Sequence, residues 1–391
     1  DRIPDGWEVK HGLDPYDPSD ALTDSDNRYP WFYEFVLDGD EFTGVPPTDP
    51  VFVNSTSSLS AGIGSAPNPG VVFVADGVYG GPENTQLSFG GKSILLISEN
   101  GSRGCIVDCN HWDDEVGDEF EPEDLISGFS FTGGEDNYTV VSGFTIQNCW
   151  TAAIYCDQSS PTIDKCIIKN NLASFDSSGG GMFFKESNAV VRNCIIKDNA
   201  AMRGGGIFAT DSNLTIQHCT FLRNYGDDVY AYENSTINIY NTILSGTDPS
   251  FNIVNSYMVS NVNPSSGLIG SGSSGIDAGS GLYKCRLDYE GEKRNEIPDI
   301  GADEFTDLDN DQMSDFWERF YLGGIDVTND QTEDIDNDGL INWDEFMVGT
   351  DPSKSDTDND GLTDTQEVRD HHSDPKIADS DGDLIPDGME V

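Results

Sequence analysis

The chain has 391 residues, and its 71 Asp and Glu against 20 Lys and Arg give a formal net charge of −51 at pH 7. A field of that sign repels nucleic acid and anionic membrane surfaces, so neither is expected as a partner. No apolar run approaches the roughly 18 residues that a membrane-spanning helix needs. A chain of this length is expected to form about two or three domains.

Residues 1–20 repeat a sequence from the other end of the chain. The first nine residues, DRIPDGWEV, match the last nine, DLIPDGMEV, at seven positions, and a Gly-x-Asp-Pro element follows at 12–15. The chain also starts without an initiator Met or a signal peptide, which suits a processed or excised segment. We predict that residues 1–20 are a partial repeat, and that the sequence is an excerpt of a longer polypeptide or one unit of an assembly whose ends meet.

Residues 51–305 follow a connector at 21–50 that matches no motif, and they contain an internal repeat. The aligned segments are 144–149, 162–168, 190–196, 214–221 and 237–244. Each alternates apolar and polar residues, as a strand does. A cysteine recurs at intervals of 17, 28 and 25 residues, with Thr242 in its place 23 residues later. Between the segments lie the glycine triplets 179–181 and 204–206, and the asparagines Asn170, Asn171, Asn199 and Asn224.

Short strands at this period cannot each bury a face alone, but they can when they stack as the coils of a right-handed parallel β-helix. Like residues then form columns at about the 4.8 Å strand spacing, and a column of asparagines can bond amide to amide. An antiparallel sandwich is the alternative. It is disfavoured because sandwiches do not keep identical residues in register.

Further segments resemble the right-handed β-helix proteins of bacterial surfaces, which are related to the polymorphic outer-membrane repeats. The resemblance rests on 73–79, 91–94 and 98–101 as opening coils, 143–146 as the central signature, and 276–279 and 299–305 as the closing segment. It implies an all-β fold, a right-handed parallel β-helix over residues 51–305.

The cysteines divide into three groups. Cys149, Cys166, Cys194 and Cys219 are predicted to be stacked interior thiols, because a buried free Cys behaves as a small apolar residue. Cys105 and Cys109 are close enough in sequence to bridge in a loop, whereas Cys156 and Cys285 have no assignment. No Cys-x-x-Cys occurs with His, so no zinc site is expected.

An enzyme must be weighed, because parallel β-helices host polysaccharide lyases and glycosidases. Lys185, Glu186, Arg203 and Asp211 lie beside the glycine triplets and are interpreted as a solvated rim. The acidic segment 111–124 fits a calcium loop, a sugar-binding insert or a solvated excursion. No nucleophile–base pair or phosphate-binding loop stands out. The sequence therefore predicts that the chain is not an enzyme, with a polysaccharide lyase or glycosidase as the alternative.

Four acidic segments share one spacing in residues 306–391. They are Asp307, Asp309, Asp311, Asp315 and Glu318; Asp334, Asp336, Asp338, Asn342 and Glu345; Asp356, Asp358, Asp360, Asp364 and Glu367; and Asp379, Asp381, Asp383, Asp387 and Glu390. Oxygen ligands fall at loop positions 1, 3, 5, 9 and 12, which curls a short loop around one hard cation. Gly339 and Gly361 occupy the sharp turn at position 6, where Gln312 and Leu384 stand in the outer copies. An acidic, disordered tail is the alternative, but it would not repeat this spacing four times.

The copies start 27, 22 and 23 residues apart, which leaves room for about one short helix rather than the two of an EF-hand. They share a second element, Gly-Thr-Asp-Pro at 349–352 and His-Ser-Asp-Pro at 372–375. Residues 307–391 thereby resemble thrombospondin type 3 repeats in their bacterial form. The resemblance implies a chain wound around a string of Ca²⁺ ions. By the same alignment, Asp1, Asp5 and Glu8 belong to an incomplete calcium loop.

These features predict an extracellular or cell-surface protein, since calcium modules of weak affinity do not fill in the cytosol. We predict a structural or adhesive role for a β-helix rod with calcium-stiffened connectors at both ends. The rod would continue covalently or assemble head to tail into filaments. The alternatives are a carbohydrate-active enzyme and a carbohydrate-binding module without catalysis. Five Asn-x-Ser/Thr sites would carry glycans if the source glycosylates asparagine: Asn54, Asn100, Asn137, Asn213 and Asn234.

Overall fold

The computed structural model forms two compact units, Asp1–Ser260 with Ser274–Glu304, and Asn261–Ser273 with Phe305–Val391. It describes residues 50–54, 56–109, 126–173, 178–244, 252–254, 256, 273–276, 278–280, 288–289, 294, 298–305, 311, 313, 317–322, 330–371, 373, 375–376, 378 and 385–390. The predicted partial repeat at 1–20, the connector at 21–50 except Pro50, and the acidic segment 111–124 lie outside the described residues.

The described part of the first unit is built from three parallel sheets, whose strands are numbered in chain order. Sheet A contains β1 (Val51–Val53), β2 (Gly70–Val74), β5 (Ile94–Ser98), β8 (Val140–Ser142), β11 (Thr162–Asp164), β14 (Val190–Arg192), β17 (Asn213–Gln217), β20 (Thr236–Tyr240) and β21 (Asn252–Val254). Sheet B contains β3 (Gly77–Gly80), β6 (Cys105–Asp108), β9 (Thr145–Gln147), β12 (Ile167–Lys169), β15 (Ile195–Lys197) and β18 (Thr220–Leu222). Sheet C contains β4 (Leu87–Ser88), β7 (Phe129–Phe131), β10 (Ile154–Asp157), β13 (Met182–Lys185), β16 (Ile207–Thr210) and β19 (Val229–Tyr232).

Successive strands pass through the three sheets in turn, and each pairs in parallel with the strand one coil away. Ile163 of β11 lies beside Val191 of β14, and Ile168 of β12 lies beside Ile196 of β15. All four side chains are buried in one core that runs through the coils. Because each alternating segment hides its apolar face only in the stack, the chain forms the predicted parallel β-helix.

Single residues in the left-handed region turn the chain at twelve corners between sheets. The A–B corner has Lys165, Asn193, His218 and Asn241, the B–C corner has Asn148, Asn170, Asp198 and Arg223, and the C–A corner has Gln158, Glu186, Asp211 and Glu233, all with φ between 47° and 59°. Asn and Asp tolerate this conformation better than most residues. Short corners of this kind keep the coils in register, so side chains at equal positions stack.

A column of asparagines is confirmed beside the B–C corner. The amide of Asn171 donates to Asn199 Oδ1 at 2.9 Å, and the amide of Asn199 donates to Asn224 Oδ1 at 3.1 Å. Each amide also donates to a carbonyl of the preceding coil, those of Ile146, Ile168 and Ile196. The column therefore satisfies buried polar groups across four coils.

The predicted cysteine column needs two corrections. Cys166, Cys194 and Cys219 are fully buried free thiols in register, but strand pairing aligns Phe144 with them, not Cys149. Cys149 lies past the end of β9 and forms a disulfide with Cys109, whose Cα is 4.8 Å away. Cys105 is buried and free, so the suggested Cys105–Cys109 bridge is wrong.

Helix α1 (Leu59–Ser65) packs against the first coils of the β-helix core and is held at its C-terminal end by Lys92. The Lys92 ammonium donates to the carbonyls of Ile63, Gly64 and Ala66 at 3.2, 2.7 and 3.0 Å. A cation at this position complements the helix dipole and the unpaired last carbonyls.

Residues 298–304, called the strap here, lie on the outer face of sheet B. Ala302 N donates to Thr220 Oγ1 at 3.1 Å, and Gly301 N donates to Asn241 O at 2.9 Å. The fully buried guanidinium of Arg294 anchors the strap by donating to the carbonyls of Gly301, Ala302 and Asp303, to Glu304 and to Asn193 Oδ1.

The second unit contains short helices separated by acidic loops. In its described residues these are α2 (Asn342–Val348), α3 (Asp364–Gln366) and α4 (Asp387–Glu390), π-helical turns at Glu318–Leu322 and Glu367–His371, and a 3₁₀ turn at Asp330–Thr332. None of the helices described for the chain is long and apolar enough to span a bilayer.

Candidate metal centres

The loop that precedes α2 gathers three carboxylates. Asp334, Asp336 and Asp338 each bring one oxygen to within 4.8 Å of the others. Backbone amides hold the other oxygens: Asp338 N donates to Asp336 Oδ1 at 3.1 Å, and Gly339 N donates to Asp334 Oδ2 at 3.2 Å. Gly339 has a φ of 106°, a conformation that a side chain would strain. The loop is therefore closed around its acids.

The loop that precedes α3 repeats this geometry. Asp356, Asp358 and Asp360 form the second group of converging oxygens. Asp360 N donates to Asp358 Oδ1 at 3.2 Å, and Gly361 N, with φ 108°, donates to Asp356 Oδ2 at 3.1 Å. The same residue types at the same spacing thus fold the same way.

Buried carboxylate oxygens in both loops have no hydrogen-bond donor among the described residues. They are Asp334 Oδ1, Asp336 Oδ2, both carboxylate oxygens of Glu345, Asp356 Oδ1, Asp358 Oδ2 and Glu367 Oε2. An ionised carboxylate removed from water without a donor or a cation is strongly disfavoured. Oxygen-only donor sets of this kind fit a hard divalent cation such as Ca²⁺ or Mg²⁺.

The glutamates at loop position 12 show that ionisation of these buried carboxyls is unfavourable without a cation. Glu345 and Glu367 are fully buried. Burial, reinforced by the charges of neighbouring aspartates, raises the pKa of each to about 8. The same causes raise the pKa of Asp358 to about 6. A divalent cation would reverse this effect by favouring the ionised carboxylates.

Position 9 does not behave as the spacing suggests. Asp364 accepts hydrogen bonds from Thr357 N and Thr357 Oγ1, both at 2.8 Å, within its own loop. Asp387, assigned by sequence to the fourth loop, instead forms a cluster with Asp360 and Glu367 of the third. Successive repeats are also joined by backbone amides, because Thr365 N donates to Asp338 Oδ2 at 2.9 Å and Gly388 N to Asp360 Oδ2 at 2.6 Å. One repeat thus completes the acidic group of the repeat before it.

The remaining predicted ligands are only partly visible. Asp311 Oδ1 accepts a hydrogen bond from Met313 N at 2.7 Å, and Glu318 and Asn342 are fully buried. Glu390 ends helix α4. Outside the described residues lie Asp1, Asp5, Glu8, Asp307, Asp309, Asp315, Asp379, Asp381 and Asp383, for which the loop assignment stays a prediction.

The residues flagged beside the glycine triplets lie on the outer side of sheet C. Lys185 forms an ion pair with Asp157 at 3.1 Å, and the Arg203 guanidinium lies 5.7 Å from the centre of the Tyr230 ring. Hydrogen bonds from Asn234 and Glu233 lower the pKa of Asp211. The hydrogen bond between Glu233 and Asp211 in turn raises the pKa of Glu233. The sequence interpretation did not include Glu233. Once the strands are aligned, Glu233 occupies the same position in the C–A corner as Glu186 and Asp211, and this alignment would have identified it.

A row of stacked aromatic rings on the same sheet was also missed. The ring centroids of Tyr155 and Phe183, Phe183 and Phe208, and Phe208 and Tyr230 are 5.2, 5.4 and 5.8 Å apart, with interplanar angles of 4°, 13° and 7°. Each ring belongs to the second residue of its strand, directly after an inward-pointing residue. Alignment of the four strands in the sequence would therefore have predicted the row.

The chain matches the family model of the right-handed β-helix region over residues 127–283 and that of the bacterial TSP3 repeat over residues 356–376. It is therefore a right-handed parallel β-helix protein. More particularly, it is a β-helix protein that carries thrombospondin type 3-like repeats of the bacterial kind. No curated protein shows significant similarity to the chain.

Solved structures with similar folds include a pectin methylesterase from Yersinia enterocolitica, with 16% identity, a TM-score of 0.34, and coverage of 53% of this chain and 67% of that one. Pectate lyase Pel9A shows 13% identity and a TM-score of 0.27, covering 68% of this chain and 99% of that one. Pectin methylesterase from carrot shows 14% identity and a TM-score of 0.25, covering 55% and 90%.

These neighbours correct the prediction that the chain is not an enzyme, because each of them is an enzyme on this fold. That prediction rested on the lack of a recognisable catalytic motif in the sequence, and a fold by itself does not decide which activity a chain has. At these identities and TM-scores the likeness assigns no reaction to the chain.

Proposed function

We propose that the chain is an extracellular structural or adhesive protein, in which calcium-binding repeats stiffen the segment that follows a β-helix. The observation that carries the proposal is the set of buried, donor-free carboxylate oxygens in two consecutive loops. Asp334, Asp336, Asp338 and Glu345 would hold one Ca²⁺, and Asp356, Asp358, Asp360 and Glu367 another. Calcium supplies positive charge and about six to eight oxygen contacts, which neutralise the repulsion within each loop.

An exterior location is supported by three further features. The Cys109–Cys149 disulfide suits an oxidising compartment. Repeats of this acidic type take up calcium at concentrations found outside cells. The five Asn-x-Ser/Thr asparagines are all exposed, as a glycan-bearing surface requires.

Limited proteolysis of the full chain in calcium and in chelator tests the proposal. Cleavage in residues 306–391 should become rapid in chelator, while the β-helix remains resistant, because only the acidic unit relies on cations. Equal cleavage of the repeats in both conditions would refute a stiffening role for calcium.

End-to-end association is a second part of the proposal. Because Asp387 of one repeat joins Asp360 and Glu367 of the repeat before it, repeats of two copies can complete each other's acidic groups in a head-to-tail assembly, which is open-ended. Sedimentation at high concentration would show calcium-dependent oligomers if copies assemble. A strict monomer in calcium would exclude assembly of this unit.

A carbohydrate-active enzyme is the second candidate function. Asp211 and Glu233 form an exposed carboxyl pair joined by a hydrogen bond, which lowers the pKa of Asp211 and raises that of Glu233, so that one carboxyl of the pair retains a proton more readily than the other. Incubation with polysaccharides should then release reducing ends or unsaturated products, and Asp211→Asn or Glu233→Gln should abolish them. Activity that survives both substitutions would exclude this pair as the site.

A further inference from the structure

The third and fourth acidic repeats meet at a group of three carboxylates. One oxygen each of Asp360, Glu367 and Asp387 lies within 4.8 Å of the other two. Asp360 also belongs to the group that it forms with Asp356 and Asp358, so two groups of converging oxygens share this residue. Because a Ca²⁺–oxygen distance is about 2.3–2.6 Å, two ligands of one ion can lie up to about 5 Å apart. Each group therefore has the dimensions of the ligand shell of one cation.

Two of the three acids at this junction are buried. Glu367 is fully buried, and Asp387 is 7% exposed. Glu367 Oε1 accepts a hydrogen bond from Ser373 Oγ at 3.0 Å, whereas the buried Glu367 Oε2 has no hydrogen-bond donor among the described residues. A buried carboxylate oxygen without a donor is strongly disfavoured unless a cation contacts it. This oxygen therefore indicates a ligand at the junction.

Backbone contacts bring the two repeats close together. Gly388 N donates to Asp360 Oδ2 at 2.6 Å. A Cβ atom at Gly388 would lie 2.5 Å from Asp360 O, so a side chain here would force the two loops apart. One repeat earlier, Thr365 N makes the equivalent bond to Asp338 Oδ2 at 2.9 Å. The approach that brings Asp387 to the third repeat is thus a repeated feature of how consecutive repeats pack.

The corresponding aspartate of the third repeat has a different role. Asp364 accepts hydrogen bonds from Thr357 N at Oδ1 and from Thr357 Oγ1 at Oδ2, both at 2.8 Å. Both of its carboxylate oxygens are thereby held within its own loop. Asp387 instead joins the acids of the preceding repeat, which gives this junction a ligand that the spacing within one loop does not supply.

We propose that Asp360, Glu367 and Asp387 bind a further Ca²⁺ ion at this junction, an inference that rests on the calcium-binding repeats proposed above. The charge of the site supports a second ion. Asp356, Asp358, Asp360, Glu367 and Asp387 supply five carboxylates. When all are ionised, one divalent cation leaves a formal excess of about three negative charges, and a second cation reduces this excess to about one.

Asp360 can contact both ions. Its Oδ1 accepts a hydrogen bond from Leu362 N at 2.8 Å, and its Oδ2 accepts the bond from Gly388 N at 2.6 Å. An ionised carboxylate has about four acceptor sites, so about two remain for cations. Ca²⁺ suits an irregular shell of oxygen ligands better than Mg²⁺, which demands nearly octahedral geometry. Because its ligands come from two repeats, the junction ion would fix the fourth repeat to the third.

Equilibrium dialysis of the full chain against radioactive calcium counts the bound ions and tests the inference. Asp387→Asn should lower the count by one. Because the spacing also assigns Asp387 to the fourth loop, the substitution is repeated in an Asp381→Asn background, in which that loop has lost a predicted ligand. Asp387→Asn should remove one further ion from this background. No further loss would assign Asp387 to the fourth loop alone and overturn the inference.

Gly388→Ala is the second variant, because its methyl group separates the repeats while every carboxylate stays in place. It should also lower the count by one, and an unchanged count would overturn the inference. Asp370→Asn is the matched control, since its carboxylate is exposed in the same unit, and it should leave the count unchanged. Amide hydrogen exchange in residues 364–371 shows whether the third repeat stays folded. Loss of several ions together with this protection would make Asp387 a packing residue and not a ligand.

The outcomes separate this inference from the proposed function. Calcium binding by the chain, with the same count in Asp387→Asn and Gly388→Ala as in the parent, would refute the junction site alone. A chain that binds no calcium would refute the calcium-binding repeats, and the junction site with them.

Discussion

The buried thiols of the β-helix are hydrogen-bonded, which alters what their substitution should cost. Cys166, Cys194 and Cys219 each donate to the carbonyl two residues earlier, at 3.2, 3.0 and 3.3 Å. Thr242 occupies the same column and donates to Tyr240 O at 2.8 Å. A hydroxyl group is therefore already accommodated in this column, which a purely apolar interpretation of the cysteines does not anticipate.

We predict that Cys194→Ser lowers the free energy of unfolding by no more than about 1 kcal/mol, because its hydroxyl can donate to the Arg192 carbonyl. Thr242→Val is the matched control. It should cost about 1–3 kcal/mol, since it leaves Tyr240 O without the hydroxyl and Cys219 N without its acceptor. Denaturant unfolding followed by circular dichroism measures both, and a larger loss for Cys194→Ser than for Thr242→Val would contradict this account.

The raised pKa values of Glu345 and Glu367, about 8 against an ordinary 4.5, predict a pH dependence in chelator. Between these values the folded repeats bind more protons than the unfolded chain. Their free energy of unfolding should therefore fall as the pH rises from about 4.5 to about 8. Amide hydrogen exchange in residues 330–371, corrected for its intrinsic pH dependence, should show greater protection at pH 5.5 than at pH 8. Greater protection at pH 8 would indicate that the glutamates ionise without a cation.

At the scale of elements, the asparagine column and the parallel coils could be predicted from the sequence, whereas the place of Cys149 could not. Alignment on cysteines placed Cys149 beside Cys166, but β9 pairs Thr145, Ile146 and Gln147 with β12. The strand register is set by the apolar face that must enter the core, and a conspicuous residue type is a weaker guide. The same limitation hid the aromatic row, which becomes evident only when the sheet C strands are superposed.

The strap depends on one buried arginine. We predict that Arg294→Met costs about 3–5 kcal/mol, because Glu304 and three carbonyls lose a buried donor. Arg223→Met is the control: Arg223 pairs with Asp198 through bonds of 2.6 and 2.8 Å but is half exposed, and should cost about 0–1 kcal/mol. Thermal unfolding of the β-helix compares the two variants. Equal losses would show that the strap is not needed for the stability of the coils.

At the scale of the whole molecule, spacing alone predicted the two loops of converging acids that the described residues show, because a closed loop needs its ligands at fixed intervals. Spacing did not predict that Asp387 forms a cluster with Asp360 and Glu367, because this cluster depends on how one repeat packs against the next. Linear spacing assigns each acid to its own loop, and only the folded repeats bring different loops together.

Asp358→Asn should weaken calcium binding by the repeats about tenfold or more, because it removes charge from a buried oxygen that has no described donor. Asp344→Asn is the matched control in the same unit. Its carboxylate is exposed and pairs with Arg369 at 3.4 Å, so its effect should be less than about twofold. Protection from proteolysis as a function of calcium concentration gives both affinities. Indistinguishable titrations would remove Asp358 from the ligand set.

The strap also decides how the β-helix would respond to mechanical tension. The chain leaves the β-helix through Glu304 and enters the acidic repeats at Phe305. A pull on residues 306–391 is therefore transmitted along the chain to residues 298–304. Arg294, Gly301 and Ala302 connect this segment to Asn193, Asn241 and Thr220, which belong to different coils. The force is thus divided among several coils, so that the β-helix resists being unravelled one turn at a time from its end.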